Sequence, residues 1–140
     1  MKKLLVDTNI VIDLLAKREP FYIEAAELFS LADKKQVYLY VNSLTFANTY
    51  YILNKNTDAK TARSVLRKFK TLIIVLNIDD KIIELSLNDS NFNDFEDAIQ
   101  YYSALENDLN IILTRNLKDF KKSQLPVMTA RQFINSKVDS

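Results

Sequence analysis

Lys3-Leu4-Leu5-Val6-Asp7-Thr8-Asn9-Ile10-Val11-Ile12-Asp13 is the stretch whose reading decides the fold. Leu4, Leu5 and Val6 are consecutive apolar residues, the mark of a short strand buried on both faces. Asp7 follows where such a strand leaves its sheet, and Thr8 and Asn9 are turn and cap residues. Ile10, Val11, Leu14 and Leu15 then recur at helical spacing, so the chain passes directly from strand to helix. A carboxylate at the carboxyl end of a buried parallel strand stands where open α/β sheets place their ligands. The plainer alternative is that Asp7 only caps the helix.

The rest of the chain repeats that pattern. Beyond the first helix, Pro20 opens an amphipathic segment with Ile23, Ala26, Leu28 and Leu31 inward and Glu24, Glu27 and Lys34 outward. Val37 to Val41 reads as a strand, after which Asn42 or Ser43 caps a helix through Leu53. Thr57 or Asp58 starts another helix to about Lys70, and Leu72-Ile73-Ile74-Val75-Leu76 is an unbroken apolar strand. Helices from Asp79 and from Asp94 precede a strand at Ile111-Ile112-Leu113. A helical turn around Leu117 to Phe120, an edge strand at Val127-Met128 and a helix capped by Thr129 complete the chain. Apolar strands alternating with helices predict an α/β fold: one domain over residues 1–140, a three-layer α/β/α sandwich around a parallel sheet of four to five strands.

Composition narrows the chemistry. The chain is 48% hydrophobic and 26% charged, as in an ordinary soluble globular protein, and its net charge of +1 provides no global attraction to nucleic acid or anionic membrane. It has no cysteine and no histidine, so disulfides, thiolate metal sites and imidazole bases are excluded. A metal would have to be held by oxygen, which means a hard cation such as Mg²⁺ or Mn²⁺. Glycine is absent, which excludes a P-loop and a dinucleotide fingerprint. The apolar N-terminal run is too short for a signal peptide or a membrane span, so a cytoplasmic location is expected.

Three places put acids or amides where strands end or helices begin: Asp7; Asn93-Asp94-Phe95-Glu96-Asp97; and Thr114-Arg115-Asn116 with Asp119. With Asp94 as N-cap, Asp97 falls at the third helical position, one turn along. Each acid alone reads equally as a cap or a solvated surface charge. Together, carboxylates converging on one sheet edge repel, and the usual remedy is a divalent cation or a shared proton.

These residues give the chain a resemblance to PIN domains, the small Mg²⁺-dependent ribonuclease fold of VapC-type toxins. The matching stretches are Val6-Asp7-Thr8-Asn9, Ser43-Leu44-Thr45-Phe46-Ala47-Asn48, Asp94-Phe95-Glu96-Asp97-Ala98-Ile99-Gln100 with Ala104, and Leu113-Thr114-Arg115-Asn116 with Asp119-Phe120. The resemblance implies hydrolysis of RNA phosphodiesters by metal-activated water, a homodimer and, in the toxin branch, a cognate antitoxin protein. It also implies Asp7, Asn48, Asp97 and Asn116 as the catalytic set, with Asp7 and Asp97 on the metal. Asn48 stands where the family usually has Glu, and Asn116 where it has Asp or Asn. An amide can ligate but brings no charge, so the site is weakened rather than abolished. Asp94, Asp119 or Asp13 are the candidates to restore charge, and Thr8, Asn9 and Arg115 the candidate substrate contacts. Lys60, Arg63, Arg67 and Lys70 form a basic stripe that reads as a solvated face or as a phosphate contact. Of Tyr50-Tyr51 and Tyr101-Tyr102, one of each pair is expected in the core. The alternative function is a degenerate domain that binds RNA or a protein partner without cleaving.

Overall fold

A computed structural model of the chain describes residues 1–138. Five strands, β1 (Lys3–Val6), β2 (Tyr38–Asn42), β3 (Ile74–Leu76), β4 (Ile111–Leu113) and β5 (Val127–Met128), form one sheet in the order β3-β2-β1-β4-β5. Every pairing is parallel, with Leu5 opposite Tyr40 on one side and Ile112 on the other. The first three strands extend the sheet one way and the last two the other. The strand order therefore reverses between β1 and β4, and the ligand crevice of an open α/β sheet lies at such a reversal.

Alternation along β1 divides the core into two layers. Leu4 and Val6 face α1 (Thr8–Leu15), α2 (Tyr22–Asp33), α4 (Ala59–Lys70) and α7 (Ala130–Val138), with Leu28, Phe29, Phe69 and Phe133 in the same cluster. Leu5 and Ile112 face α6 (Phe95–Glu106) through Ala98, Tyr101 and Ala104, with Phe92 and Phe120 closing that side. α3 (Ser43–Asn56) leaves the end of β2 and packs on α1 and α4, while α5 (Asp80–Leu87) packs on α6. This is the expected three-layer sandwich.

Three expectations need correction. On α2 the buried residues are Ala25, Leu28 and Phe29, whereas Ile23 is 59% exposed. The helix begins at Tyr22, after Pro20; Leu28 and Leu31 pack on the core as expected, while Ala25 and Phe29 take the inward places that Ile23 and Ala26 were expected to fill. The apolar run from Leu72 is strand only from Ile74 to Leu76, and Ile74 is 42% exposed. β3 is an edge strand, so one face of it lacks the covering that an unbroken apolar run suggests. α3 also runs to Asn56, three residues beyond the expected end.

A glycine-free chain must still end its helices. α1, α2 and α6 each close with a left-handed residue, Lys17 (φ 52°), Lys35 (φ 59°) and Asp108 (φ 55°). At each end a 6→1 backbone bond accompanies the turn: Arg18 N–H to Asp13 C=O, Gln36 to Leu31 and Leu109 to Ala104. These are Schellman motifs built on residues that carry a Cβ.

Candidate functional site

Asp7 occupies the carboxyl end of β1 and caps α1, as both readings of the sequence expected. Its Oδ1 accepts the Thr8 N–H at 2.8 Å, and its Oδ2 accepts the Thr114 hydroxyl at 2.8 Å. It is 6% exposed, and burial pushes its pKa up from the ordinary value against the opposing effect of the Thr114 and Thr8 hydrogen bonds. Thr114 stands at the end of β4 as Asp7 does at the end of β1, so the two meet across the strand-order reversal.

Asp94 is the N-cap of α6, its Oδ1 accepting the N–H groups of Glu96 (2.7 Å) and Asp97 (3.2 Å). That turn aims Asp97 back toward Asp7. The half-buried Asp97 is pushed up to about 7, first by loss of solvent and then by the charges of Asp94, Asp7, Asp119 and Glu96. Four neighbouring carboxylates therefore make the potential at one oxygen pair more negative and hold its proton there. They line a cleft of about 250 Å³ together with Thr8, Asn9, Gln100, Asn116 and Leu44.

Below this cleft lies a buried polar network that the sequence reading did not single out. The Thr45 backbone N–H donates to Asn42 Oδ1 at 3.1 Å, which caps α3 and fixes the direction of the Asn42 amide. Asn42 Nδ2 must then point the other way, where it donates to Gln100 Oε1 at 2.9 Å. That bond in turn orients Gln100 Nε2 toward Thr8 Oγ1 (3.2 Å), Thr45 Oγ1 (3.4 Å) and Asp7 Oδ1 (3.5 Å). The Thr8 and Thr45 hydroxyls are 2.8 Å apart. Asp7 thus receives donors from Thr8, Thr114 and Gln100 and faces no competing acceptor in the network, an arrangement that favours its ionised form. Asn42 and Thr45 are fully buried and Gln100 is 4% exposed. One signal was legible: Gln100 follows Asp97 by three residues, on the apolar side of α6.

The remaining candidates separate. Asn9 and Asn116 line the cleft, as do Asp94 and Asp119, but Asn48 does not. It lies half-buried one turn farther along α3, and Leu44 occupies that wall. Arg115 is turned away from the cleft. Its Nε is 2.8 Å from Asp13 Oδ2 and its guanidinium carbon lies 4.0 Å from the Phe21 ring centre, a cation–π contact. Asp13 is 1% exposed and also faces Arg18 Nε at 3.6 Å, so its charge is matched there and does not reach the cleft. Burial raises its pKa, and the two guanidinium groups oppose that rise. Tyr101 is buried, and the Tyr102 hydroxyl donates to Asp89 Oδ2 at 2.6 Å. Tyr50 is half-buried and Tyr51 is 69% exposed.

The donor set is all oxygen and strongly anionic, which suits a hard divalent cation. Among the described residues no three acids stand close enough to form a closed cage. Mg²⁺ needs only one or two carboxylates when water and substrate oxygens complete its shell, so the residues fit such an ion.

Known proteins share this architecture. The PIN domain family model matches residues 3–118. Ribonuclease VapC1 of Aquifex aeolicus (strain VF5) is 27% identical over 136 residues, covering 94% of this chain and 93% of that protein. A toxin–antitoxin complex from Klebsiella pneumoniae is similar with a TM-score of 0.67 at 26% identity, covering 91% of this chain and 97% of that one. VapBC2 from Rickettsia felis, bound to a DNA fragment from its promoter, shares the fold with a TM-score of 0.68 at 19% identity, over 90% of this chain and 96% of that one. With the family match running from β1 past β4 and the acids gathered at the sheet's carboxyl edge, the chain belongs to the PIN domain family.

Proposed function

We propose that this chain is a single-domain, Mg²⁺- or Mn²⁺-dependent endoribonuclease, the toxin of a toxin–antitoxin pair, acting in the cytoplasm as a homodimer. The observation that carries the reading is the meeting of Asp7 and Asp97 in one cleft, where burial and then the neighbouring carboxylates push Asp97 to about 7. The similarity to Ribonuclease VapC1 and to the Klebsiella toxin–antitoxin complex supports RNA as substrate and an antitoxin as partner. No helix among the described residues is long and apolar enough to cross a membrane.

Asp7 and Asp97 would hold the cation, with Asn116, Asp119 and Asp94 around them. When bound, the cation supplies Lewis acidity toward a phosphate oxygen and lowers the pKa of water. The chain's own residues do the rest. Asp7, fixed by three donors, offers its carboxylate in one orientation. Asp97 holds or releases a proton near neutrality. Asn9 and Asn116 present amides that donate to phosphate oxygens without adding repulsion. Leu44 makes one wall apolar and limits water there.

The degenerate reading also has an observation behind it, since Asn48 lies off the cleft and no third acid completes a cage among the described residues. Cleavage of end-labelled RNA across Mg²⁺ and Mn²⁺ titrations separates the two. The wild type is expected to cut, better with Mn²⁺, which binds N/O sites more tightly. Asp97→Asn should lose on the order of 10²–10³ in rate. A wild type that neither cuts nor binds either metal would leave the binding module as the function.

A further inference from the structure

The charges of this chain are segregated. Six of its nineteen cations and one of its eighteen acids lie between Lys55 and Lys70, so this stretch is +5 while the remainder of the chain is −4. On α4 the one nearby acid, Asp58, is the cap, its Oδ1 accepting the Thr61 N–H at 2.7 Å. Ala62 and Phe69 turn into the core, where Phe69 meets Phe29 and Phe46. Lys60, Arg63, Arg67 and Lys70 lie exposed, and among the described residues no carboxylate pairs with them. The cations Arg18, Lys81, Arg115 and Arg131 all have such partners.

This arrangement has a cost. Like charges three and four residues apart destabilise a helix, and the stripe contains three such steps. The cleft creates the matching need. It gathers five acids; Arg115 beside it is committed to Asp13 and Phe21, which leaves Lys118, next to Asp119, as a single exposed cation at its rim among the described residues. A polyanion drawn to that cleft requires attraction from elsewhere on the surface.

We propose that the exposed face of α4 is an RNA-backbone contact surface, holding phosphates without regard to sequence while the acidic cleft acts on the same strand. This rests on the reading of the cleft as a ribonuclease site. The stripe spans about 15 Å along the helix at 1.5 Å per residue. α4 packs on α3, whose first turn supplies Leu44 to the cleft, so the two surfaces are joined by one helix pair.

The test compares the wild type with the Lys60→Gln/Arg63→Gln/Arg67→Gln/Lys70→Gln variant. The control is Lys2→Gln/Lys17→Gln/Lys34→Gln/Lys35→Gln, which removes equal charge from other exposed positions. Binding of a fluorescein-labelled single-stranded RNA is measured with chelator, and cleavage kinetics with Mn²⁺, over a range of salt. The α4 variant should melt no lower than the wild type. Its KM should rise roughly tenfold or more with kcat within about twofold, and its salt slope should fall by about 3, at ~0.7 per contact on a single strand. The control should match the wild type. Wild-type cleavage with an unchanged KM and salt slope in the α4 variant would overturn the proposal and leave that face to an acidic protein partner. An equal effect in the control would reduce it to net charge. A wild type that neither binds nor cuts RNA would overturn the nuclease reading as well.

Discussion

At the scale of single residues, the decisive feature is a direction. The Thr45 backbone N–H has only one polarity, and it fixes Asn42, which fixes Gln100, which aims a donor at Asp7. On the proposed function, Gln100 would be a positioning residue, acting through Asp7 and Thr8. Gln100→Met keeps its length but deletes both ends of the relay. It should cost about 1–3 kcal/mol of stability through the unpaired Asn42 amide. It should also lower kcat by roughly 10- to 100-fold, about 1.4 kcal/mol per tenfold, with KM for RNA unchanged. Asn42→Leu should lower kcat comparably, and the double variant should be little worse than either single one, because both cut the same relay. Multiplying rate losses, or an unaffected kcat, would reduce Gln100 to a packing residue. Asp7 and Asp97 were legible in the sequence because each stands at a recognisable junction, a strand end or a first helical turn. The relay was not, because Asn42 and Gln100 are 58 residues apart and satisfy one another only once folded. The ion pair of Arg115 was hidden for a related reason. Its neighbour Asn116 faces the cleft, but successive residues leaving a strand point to opposite sides, and Arg115 turns to a carboxylate on α1.

At the scale of elements, caps were read more accurately than faces. Asn42, Asp58, Asp79 and Asp94 all cap the helices they were expected to begin, since a cap is a local bond between a side chain and the next turn. On α2, Leu28 and Leu31 turn inward as expected but Ile23 does not, and the edge position of β3 was not visible, because both depend on where neighbouring layers sit. Helix ends offer a direct test. Lys17 and Lys35 adopt a left-handed backbone that costs a residue with a Cβ about 1–2 kcal/mol. Lys35→Gly should relieve that strain and lose part of the gain to the greater freedom of glycine in the unfolded chain, for a net stabilisation of roughly 0.5–1 kcal/mol. In thermal unfolding this is a rise of about 2–4 °C. Lys35→Ala, which keeps the Cβ, should give no comparable rise. Equal melting of the two variants would show that the turn carries no relievable strain.

At the scale of the whole molecule, the proposed function links folding, protons and metal through the same cleft. Asp97 is raised to about 7 from an ordinary 3.8, and Asp7 is raised as well. Between those values the folded state holds a proton that the unfolded chain releases, so this contribution is present at low pH and is lost as pH rises through about 7. Protein kept in chelator should therefore lose stability from these groups between pH 5 and pH 8. A divalent cation held by the pair, as proposed, should reverse the trend, because it would compete with the proton. At a cation concentration of about 100 times Kd the gain is roughly 2.7 kcal/mol, or about 5–10 °C in melting temperature for a domain of this size. The shift should be largest at pH 8 and nearly absent at pH 5. Asp97→Asn should fold, because an amide is tolerated in a first helical turn. It should flatten the chelator curve and remove most of the cation's effect. Calorimetric melts of both proteins, with and without Mn²⁺, across that range decide the matter. A wild-type curve in chelator that is flat from pH 5 to 8, or a cation shift that survives in Asp97→Asn, would mean that Asp97 shares neither proton nor metal with Asp7.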